Sequence, residues 1–574
     1  MDNLNKNDKA DAIDAAPTQI HREVMQGEQL IGAARESYGP GGFKGLFANH
    51  YVAMCAIFAT IGGLLFGYDQ GVISVTLVMD QFLETFPRVS ETASGAGFWK
   101  GLMTAMLELG ALIGALFAGY LADKLSRKYS IVVAVIVFTV GSILQTAAVG
   151  YSMLTVGRLI GGMGIGALAC IAPLYISEIA PPEIRGTLLV LQEFSIVFGI
   201  VVAFWTTYGT RYMAGQWSWR LPFLIQMIPG VVLGVGIVFL PFSPRWLSSK
   251  GRDDEALQVL AKLRGLPTTD SRVYREWCEI RAEVAFTREV NCEKHPNLQD
   301  GTRASNFKLE LASWTDCFRH GCWKRTVVGV GIMFFQQVSD SNYSQKMRRA
   351  KILQFVGINA LIYYAPSLFG TLGQEYEMQL LLSGIINCTQ LVGVITSLWT
   401  MDRFGRRPLL LTGAGLMFIC HLIIAVLVGK YGGRWADYAT EGWVAVAFLF
   451  FYMFSFGATW GPVPWAMPSE IFPSSLRAKG VALSTCSNWF NNFIIGLITP
   501  PLVQNTGYGA YTFFAIFCLL AFVFTFFCIP ETAGKTLEQM DEVFKDVNSV
   551  EEEQRKARIM GDIVQGKRDT FAAP

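Results

Sequence analysis

The chain has 574 residues, of which 52% are hydrophobic and only 16% charged, with a net charge of +2. Soluble domains carry about 25% charged residues, so a soluble enzyme and a disordered scaffold are excluded. The near-zero net charge offers no basic footprint for nucleic acid, and no nucleic-acid partner is expected.

The chain begins with a polar stretch, 1–48, that lacks the apolar core of a signal peptide. It reads as a cytosolic tail. A membrane helix needs about 20 mostly apolar residues. Six such stretches follow, at roughly 50–72, 99–121, 130–149, 153–175, 187–207 and 221–241. A charged segment, 245–325, reads as a cytosolic loop of short amphipathic helices lying under the membrane domain. Six more apolar stretches lie near 326–370, 379–400, 408–429, 443–466, 480–502 and 509–529. The fold expected is an all-α membrane protein of 12 transmembrane helices in two six-helix bundles, 49–244 and 326–530. Residues 531–574 read as a cytosolic tail, a solvated helix with a frayed end.

Orientation follows from basic residues in the short loops. With the first residue inside, the inner loops hold Lys124, Arg127, Lys128, Arg185, Arg403, Arg406, Arg407, Arg477 and Lys479. The outer loops hold Arg88, Arg211, Lys430 and Arg434. The excess inside puts both termini and the 245–325 loop in the cytosol. Most of the eleven cysteines fall within spans or in the reduced cytosol, so no disulfide framework is expected. Cys317, His320 and Cys322 lack a fourth ligand nearby, and no metal site or cofactor is expected. The sequons at Asn342 and Asn387 fall at membrane depth and are expected to be unmodified.

Polar side chains inside apolar spans are costly and mark function. Asp69 follows Gly62, Gly63 and Gly67 in the first span, and Arg158 opens the glycine-rich part of the fourth. A buried carboxylate beside a buried guanidinium is a candidate proton carrier; a structural ion pair without a proton role is the alternative. The second half carries Gln336, Gln337, Asn359, Asn387, Trp465, Asn488, Trp489 and Asn492. Amides pair with vicinal hydroxyls, and indoles offer a flat face to a sugar ring. Such a set suits a neutral polyhydroxyl ligand better than an ion. Hydrogen bonding between helices accounts for one or two of the eight in this reading. Acid–base patterns recur at the inner ends: Asp123 with Arg127, Asp402 with Arg406, Glu178 before Arg185 and Glu470 before Arg477. They read as clasps between helices.

The seventh span is interrupted. Between Gln337 and Phe355 lie 17 residues, 338–354, most of them polar and including Asp340, Lys346, Arg348, Arg349 and Lys351. Five charges at a helix centre would cost about 12–17 kcal/mol on the insertion scale. The length is a whole number of codons. Val338-Ser339 is compatible with the start of an intron and Gln354 with its end. The segment reads as an unspliced intron, with a genuine loop through the site as the alternative.

The motifs together identify the chain as resembling the sugar porters of the major facilitator superfamily, and among them the fungal monosaccharide transporters, over about residues 50–540. They are Phe66-Gly67-Tyr68-Asp69, Gly157-Arg158, Pro244-Arg245, Gln336-Gln337, Gly461-Pro462-Val463-Pro464-Trp465 and Pro530-Glu531-Thr532. The resemblance implies the major facilitator fold, a central sugar site and alternating access. It implies a site of Phe66, Gln192, Glu193, Gln336, Gln337, Asn359, Asn387, Trp465, Asn488, Trp489 and Asn492. It matches Asp69 and Arg158 to a proton-coupling pair, with Glu193 as a further carboxylate. Glu193 stands where the family has a glutamine, and Ile200 replaces a second one, which leaves the sugar open. Phe242 replaces an acid and Ser126 a glycine, and both are expected to weaken the inner clasps.

The expectation is a non-enzymatic, multi-pass plasma-membrane protein that carries a hexose such as glucose, or xylose, with a proton, as a monomer in the lipid bilayer. Proton-independent facilitation and a non-transporting sugar sensor are the alternatives. The 44 residues after Pro530 are short for a signalling tail. No HExxH, GxSxG or phosphate-binding lysine loop supports an enzyme.

Overall fold

A computed structural model of the protein describes residues 37–40, 50–90, 93–298, 302–319, 322–337, 358–473, 476–506, 508–532, 540, 543–544 and 549–565. All regular elements among these residues are helices. The first half holds α1 (His50–Thr76), α2 (Ala96–Leu125), α3 (Arg127–Thr146), α4 (Tyr151–Ile179), α5 (Arg185–Thr210) and α6 (Trp217–Phe239). Four helices follow between the halves: α7 (Pro244–Ser249), α8 (Asp253–Arg264), α9 (Ser271–Lys294) and α10 (Arg303–Asp316). The second half holds α11 (Trp323–Gln337), α12 (Ile358–Thr371), α13 (Tyr376–Phe404), α14 (Arg406–Tyr431), α15 (Ala439–Ala458), α16 (Val463–Ile471), α17 (Arg477–Thr506) and α18 (Tyr508–Cys528). The last described helix is α19 (Ser549–Val564).

Among the described residues, ten helical segments are long and apolar enough to cross a membrane. Their outward faces fit lipid. On α6, Ile228, Val231, Val235 and Phe239 recur at helical spacing and are exposed. Such a stripe is a liability in water and ordinary against acyl chains. The inward faces are small and close-packed. A Cβ on Gly67 would collide with the backbone of Ile196, so glycine there lets α1 lie against α5.

In the first bundle α4 packs on α2 and α3, and α1 on α5; in the second, α14 packs on α15 and α18, and α11 on α17. The bundles meet along α2 with α17, α5 with α13 and α1 with α12. The first two contacts exchange under the swap of first and second halves, as an internal repeat requires.

α11 has 15 residues and α12 has 14. At 1.5 Å per residue each falls well short of a hydrocarbon core about 30 Å thick. Residues 338–354, which separate them, lie outside the described residues.

Two expectations for the midloop and the tail need correction. The midloop is not made only of short helices, since α9 runs for 24 residues. The tail is not merely solvated either. Ile559, Met560 and Ile563 of α19 are buried in one apolar cluster with Leu260, Trp277 and Phe286. The stripe at i, i+1 and i+4 is what the charge-rich sequence concealed. Arg555 ties α19 to α9 through Glu289 at 2.9 Å and Glu293 at 2.5 Å.

Candidate transport site

α1, α2, α4 and α12 converge on a buried polar cluster. Arg158 Nη1 donates to Asp69 Oδ1 at 3.2 Å, and its Nε donates to the Met103 carbonyl at 3.0 Å. Both side chains of the pair are fully buried. Glycines at 157, 161 and 162 strip that part of α4 of side chains, so the guanidinium lies along its neighbours. A third ionisable group, Glu108 of α2, is also fully buried. The Tyr363 hydroxyl of α12 donates to Glu108 Oε1, and Gln70 Nε2 donates to Tyr363 Oη at 2.9 Å. Glu108 was missed in the sequence reading. It obeys the rule that singled out Asp69, an acid amid apolar residues, and that signal was available.

The amides of the second half assemble as a chain. Asn492 Nδ2 donates to Asn488 Oδ1 at 3.0 Å, and Asn488 Nδ2 to Gln336 Oε1 at 2.7 Å. Gln336 Nε2 then donates to the carbonyls of Trp460 and Gly461, each at 3.0 Å. Three of the eight expected groups thus bond between or along helices, more than the one or two anticipated. Such bonds hold the amides in fixed orientations, because a buried polar group without a partner costs about 1–3 kcal/mol. Asn387 is buried with Oδ1 free of hydrogen bonds among the described residues. So is Gln390 Oε1, one turn on along α13 and absent from the sequence reading. The side chains of Gln337 and Asn359 lie outside the described residues.

The aromatic part is split between bundles. Phe66 of α1 meets Trp489 of α17 edge to face, with ring centroids 4.8 Å apart. Trp489 is fully buried and its indole N–H has no hydrogen-bond partner among the described residues. Trp465, on α16, is half-buried against the core. Gln192 and Glu193 of α5 are both buried. A Cβ on Gly63 would come within 2.8 Å of Gln192 Nε2, and one on Gly461 within 3.3 Å of Glu193 Oε1. Glu193 therefore faces the Gly461–Trp465 segment of the other bundle.

At the helix ends the clasps close in matching pairs. Arg127 Nη1 donates to Asp123 Oδ1 at 3.0 Å and its Nη2 to Glu178 Oε1 at 2.9 Å. Arg406 Nη2 donates to Glu470 Oε1 at 3.0 Å. Glu470 Oε2 accepts from the Thr532 hydroxyl at 2.6 Å, and Glu531 accepts from the Arg406 and Arg407 amides at 3.0 Å. The Pro530-Glu531-Thr532 motif thus caps the start of α14. Ser126 and Phe242 do not prevent these contacts: Arg127 reaches both acids, and Phe242 stacks on Trp246. Arg477 is half-buried at the start of α17, and the side chains of Arg185 and Asp402 lie outside the described residues. Below the clasps Arg245 donates to Glu283 at 2.5 Å, and that carboxylate holds the guanidinium above its ordinary range. Among the described residues no group of His, Cys, Asp or Glu is placed to hold a metal ion.

Two bundles of apolar helices around buried amides, indoles and a shut-in ion pair define a multi-pass membrane transporter. The family model described as "Sugar (and other) transporter" matches residues 55–348 and 350–544. A glucose transporter of Aspergillus flavus is 32% identical over 89% of this chain and 93% of its own length. A quinate permease of Neurospora terricola is 32% identical over 87% and 89%. The solved structure of the proton:xylose symporter XylE, bound to 6-bromo-6-deoxy-D-glucose, superimposes with a TM-score of 0.68 at 27% identity, covering 86% of this chain and 99% of that one. The chain belongs to the sugar porter family of the major facilitator superfamily, a family of membrane sugar transporters and not of enzymes.

Proposed function

We propose that the protein takes up a monosaccharide across the plasma membrane by alternating access, coupled to a proton, with both termini in the cytosol. The observation that carries the coupling is the Asp69–Arg158 pair, fully buried at 3.2 Å. Protonating Asp69 breaks its ion pair with Arg158 and favours a rearrangement of α1 against α4. Sugar binding is assigned to Gln336, Asn387, Asn488, Asn492, Trp465 and Trp489 on one side, with Phe66, Gln192 and Glu193 on the other. Gln337 and Asn359 belong to the same set by sequence. The outer end carries its own tie, since Arg211 donates to Glu377 of α13 at 2.5 Å.

Overall likeness does not choose the substrate, because a glucose transporter and a quinate permease stand at the same identity. The lining does. Quinate is an anion, and Glu193 places a carboxylate against the site. Neutral amides, indoles and a carboxylate acceptor suit an uncharged sugar. Residues 338–354 fit an unspliced intron in this reading, and the family match breaks at residue 349, inside that segment.

The test is uptake of labelled glucose and xylose with external pH recording, and competition by a panel of sugars and by quinate. Uptake with proton entry, blocked by hexoses, supports the reading. Uptake indifferent to pH and to a protonophore establishes facilitation instead. Competition by quinate alone overturns the sugar assignment.

A further inference from the structure

Two carboxylates and one guanidinium share the same shut-in pocket: Asp69 on α1, Glu108 on α2 and Arg158 on α4, each fully buried. Arg158 acts electrostatically on both acids, and Asp69 acts on Glu108. With both acids ionised the cluster carries one negative charge in excess; with one proton bound it is neutral. An uncompensated charge in a low-dielectric interior is costly. Asp69 Oδ2 and Glu108 Oε2 are buried without a hydrogen-bond partner among the described residues. Each is an oxygen on which a proton can sit.

Among the described residues the surroundings supply no second cation. α1 contributes Asp69 and Gln70, α3 contributes Gln145, α4 contributes Arg158, and α12 contributes Tyr363 and Tyr364. The charges of α17, Arg477 and Lys479, lie in its first turn. Arg127 and Lys128 lie in the first turn of α3. On α2 itself Lys100 stands eight residues away, about 12 Å along the axis.

We propose that Glu108 is a second acidic member of the proton site, so that the transported proton is held by Asp69 and Glu108 together against Arg158. Through Tyr363, a residue of the other bundle, the occupancy of that pair is read out as closure between α2 and α12. The proposal rests on the proton-coupled reading above. Interacting acids titrate as a pair. A hydrogen bond to an ionised carboxylate is about twice as strong as one to a neutral group. Losing the charge on Glu108 therefore loosens the one tie between Tyr363 and the first bundle that includes a carboxylate.

Whichever of the full chain and the chain lacking 338–354 takes up sugar serves as wild type. Glu108→Gln keeps an acceptor for Tyr363 and removes the charge. The expected result is a normal amount at the cell surface, sugar exchange close to wild type, and a loss of at least about tenfold in proton-driven net uptake. Its pH profile is flattened, and Glu108→Asp restores a pH-dependent profile. Tyr363→Phe removes the hydrogen bond to Glu108 and is expected to change both the pH midpoint and the sugar KM. A Glu108→Gln protein with the wild-type pH profile and accumulation overturns the proposal, as does equal loss of exchange and net uptake at a normal surface amount. If Glu108→Gln does not reach the surface, Glu108→Asp decides: an unchanged profile overturns the proposal and a shifted one supports it. Wild-type uptake without proton entry defeats the coupled reading itself. Wild-type proton entry with an unchanged Glu108→Gln defeats only the role of Glu108.

Discussion

Ser126 and Gly405 stand at matching corners of the two bundles and share one backbone conformation, φ 96° and ψ 157° for the serine, φ 88° and ψ 168° for the glycine. Each directly precedes a clasp arginine, Arg127 or Arg406. That region of backbone space is open without strain essentially to glycine alone, and other residues there cost about 1–3 kcal/mol. Among the described residues Ser126 is the single non-glycine with positive φ. The Arg127 clasp therefore forms at the expense of local strain, partly offset because the Ser126 hydroxyl accepts from the Tyr129 amide at 3.3 Å.

Ser126→Gly is expected to raise thermal stability in detergent by about 1–2 kcal/mol. Gly405→Ala should do the opposite and by more. A Cβ there would lie 2.7 Å from Glu531 Oε2 and displace the cap on α14. An unchanged melting temperature for Ser126→Gly would show that the serine is not strained.

Asp69→Asn breaks the charged hydrogen bond to Arg158 but leaves Glu108 as a buried counter-charge, so the expected loss in stability is about 1–3 kcal/mol. Proton-driven accumulation should stop. Asp69→Asn combined with Arg158→Met is expected to recover much of the stability and none of the accumulation. A melting curve and an accumulation assay on the three proteins separate packing from coupling.

Asn488 links Asn492 to Gln336, so Asn488→Ala strands Gln336 Oε1. The loss of one such buried bond is about 1–3 kcal/mol. Sugar KM should rise by about tenfold for each 1.4 kcal/mol that falls on binding. Unaltered KM at normal surface abundance would place the amide chain outside the site.

The docking of α19 on α9 should be pH-dependent. The Arg555 guanidinium, by its hydrogen bond, holds the Glu293 carboxyl below the usual carboxylate range. A lowered folded value stabilises docking above the unfolded carboxylate pKa, about 4.3. That contribution is lost as pH falls through the lowered value. Proteolysis of the tail should be slow at neutral pH and faster in acid. Met560→Ala, which opens a cavity worth about 2–5 kcal/mol, should release α19 at either pH.

Deleting 338–354 joins Gln337 directly to Phe355. The joined stretch from α11 to α12 is long enough to cross the hydrocarbon core, where neither helix is alone. The shortened chain is expected to transport sugar and the full chain to fail. Sequencing the mature transcript across codons 336–356 checks the same point, and retention of all 17 codons would reject the intron.

Much of this protein was legible in one dimension because the bilayer is a strict solvent. Apolar runs of membrane length, basic inner loops and a repeated acid–base punctuation follow from the sequence, since each reflects a local cost of water or lipid. Asp69 and Arg158 stood out for the same reason. The order of pairing was not legible. Glu178 meets Arg127, 51 residues away, and Glu470 meets Arg406, 64 residues away. Nothing in the spacing chooses those partners over the nearer arginines.

The sequence by itself determined the class of molecule and the number of halves, because composition and periodicity respond to solvent. Only the tertiary structure decided which polar groups are occupied with one another. It put Gln336, Asn488 and Asn492 into one chain, turned α19 onto α9, and brought Glu108 and Tyr363, 255 residues apart, into contact. Those relationships depend on how helices lie beside each other, and close approach in space leaves no mark on the spacing of residues along a chain.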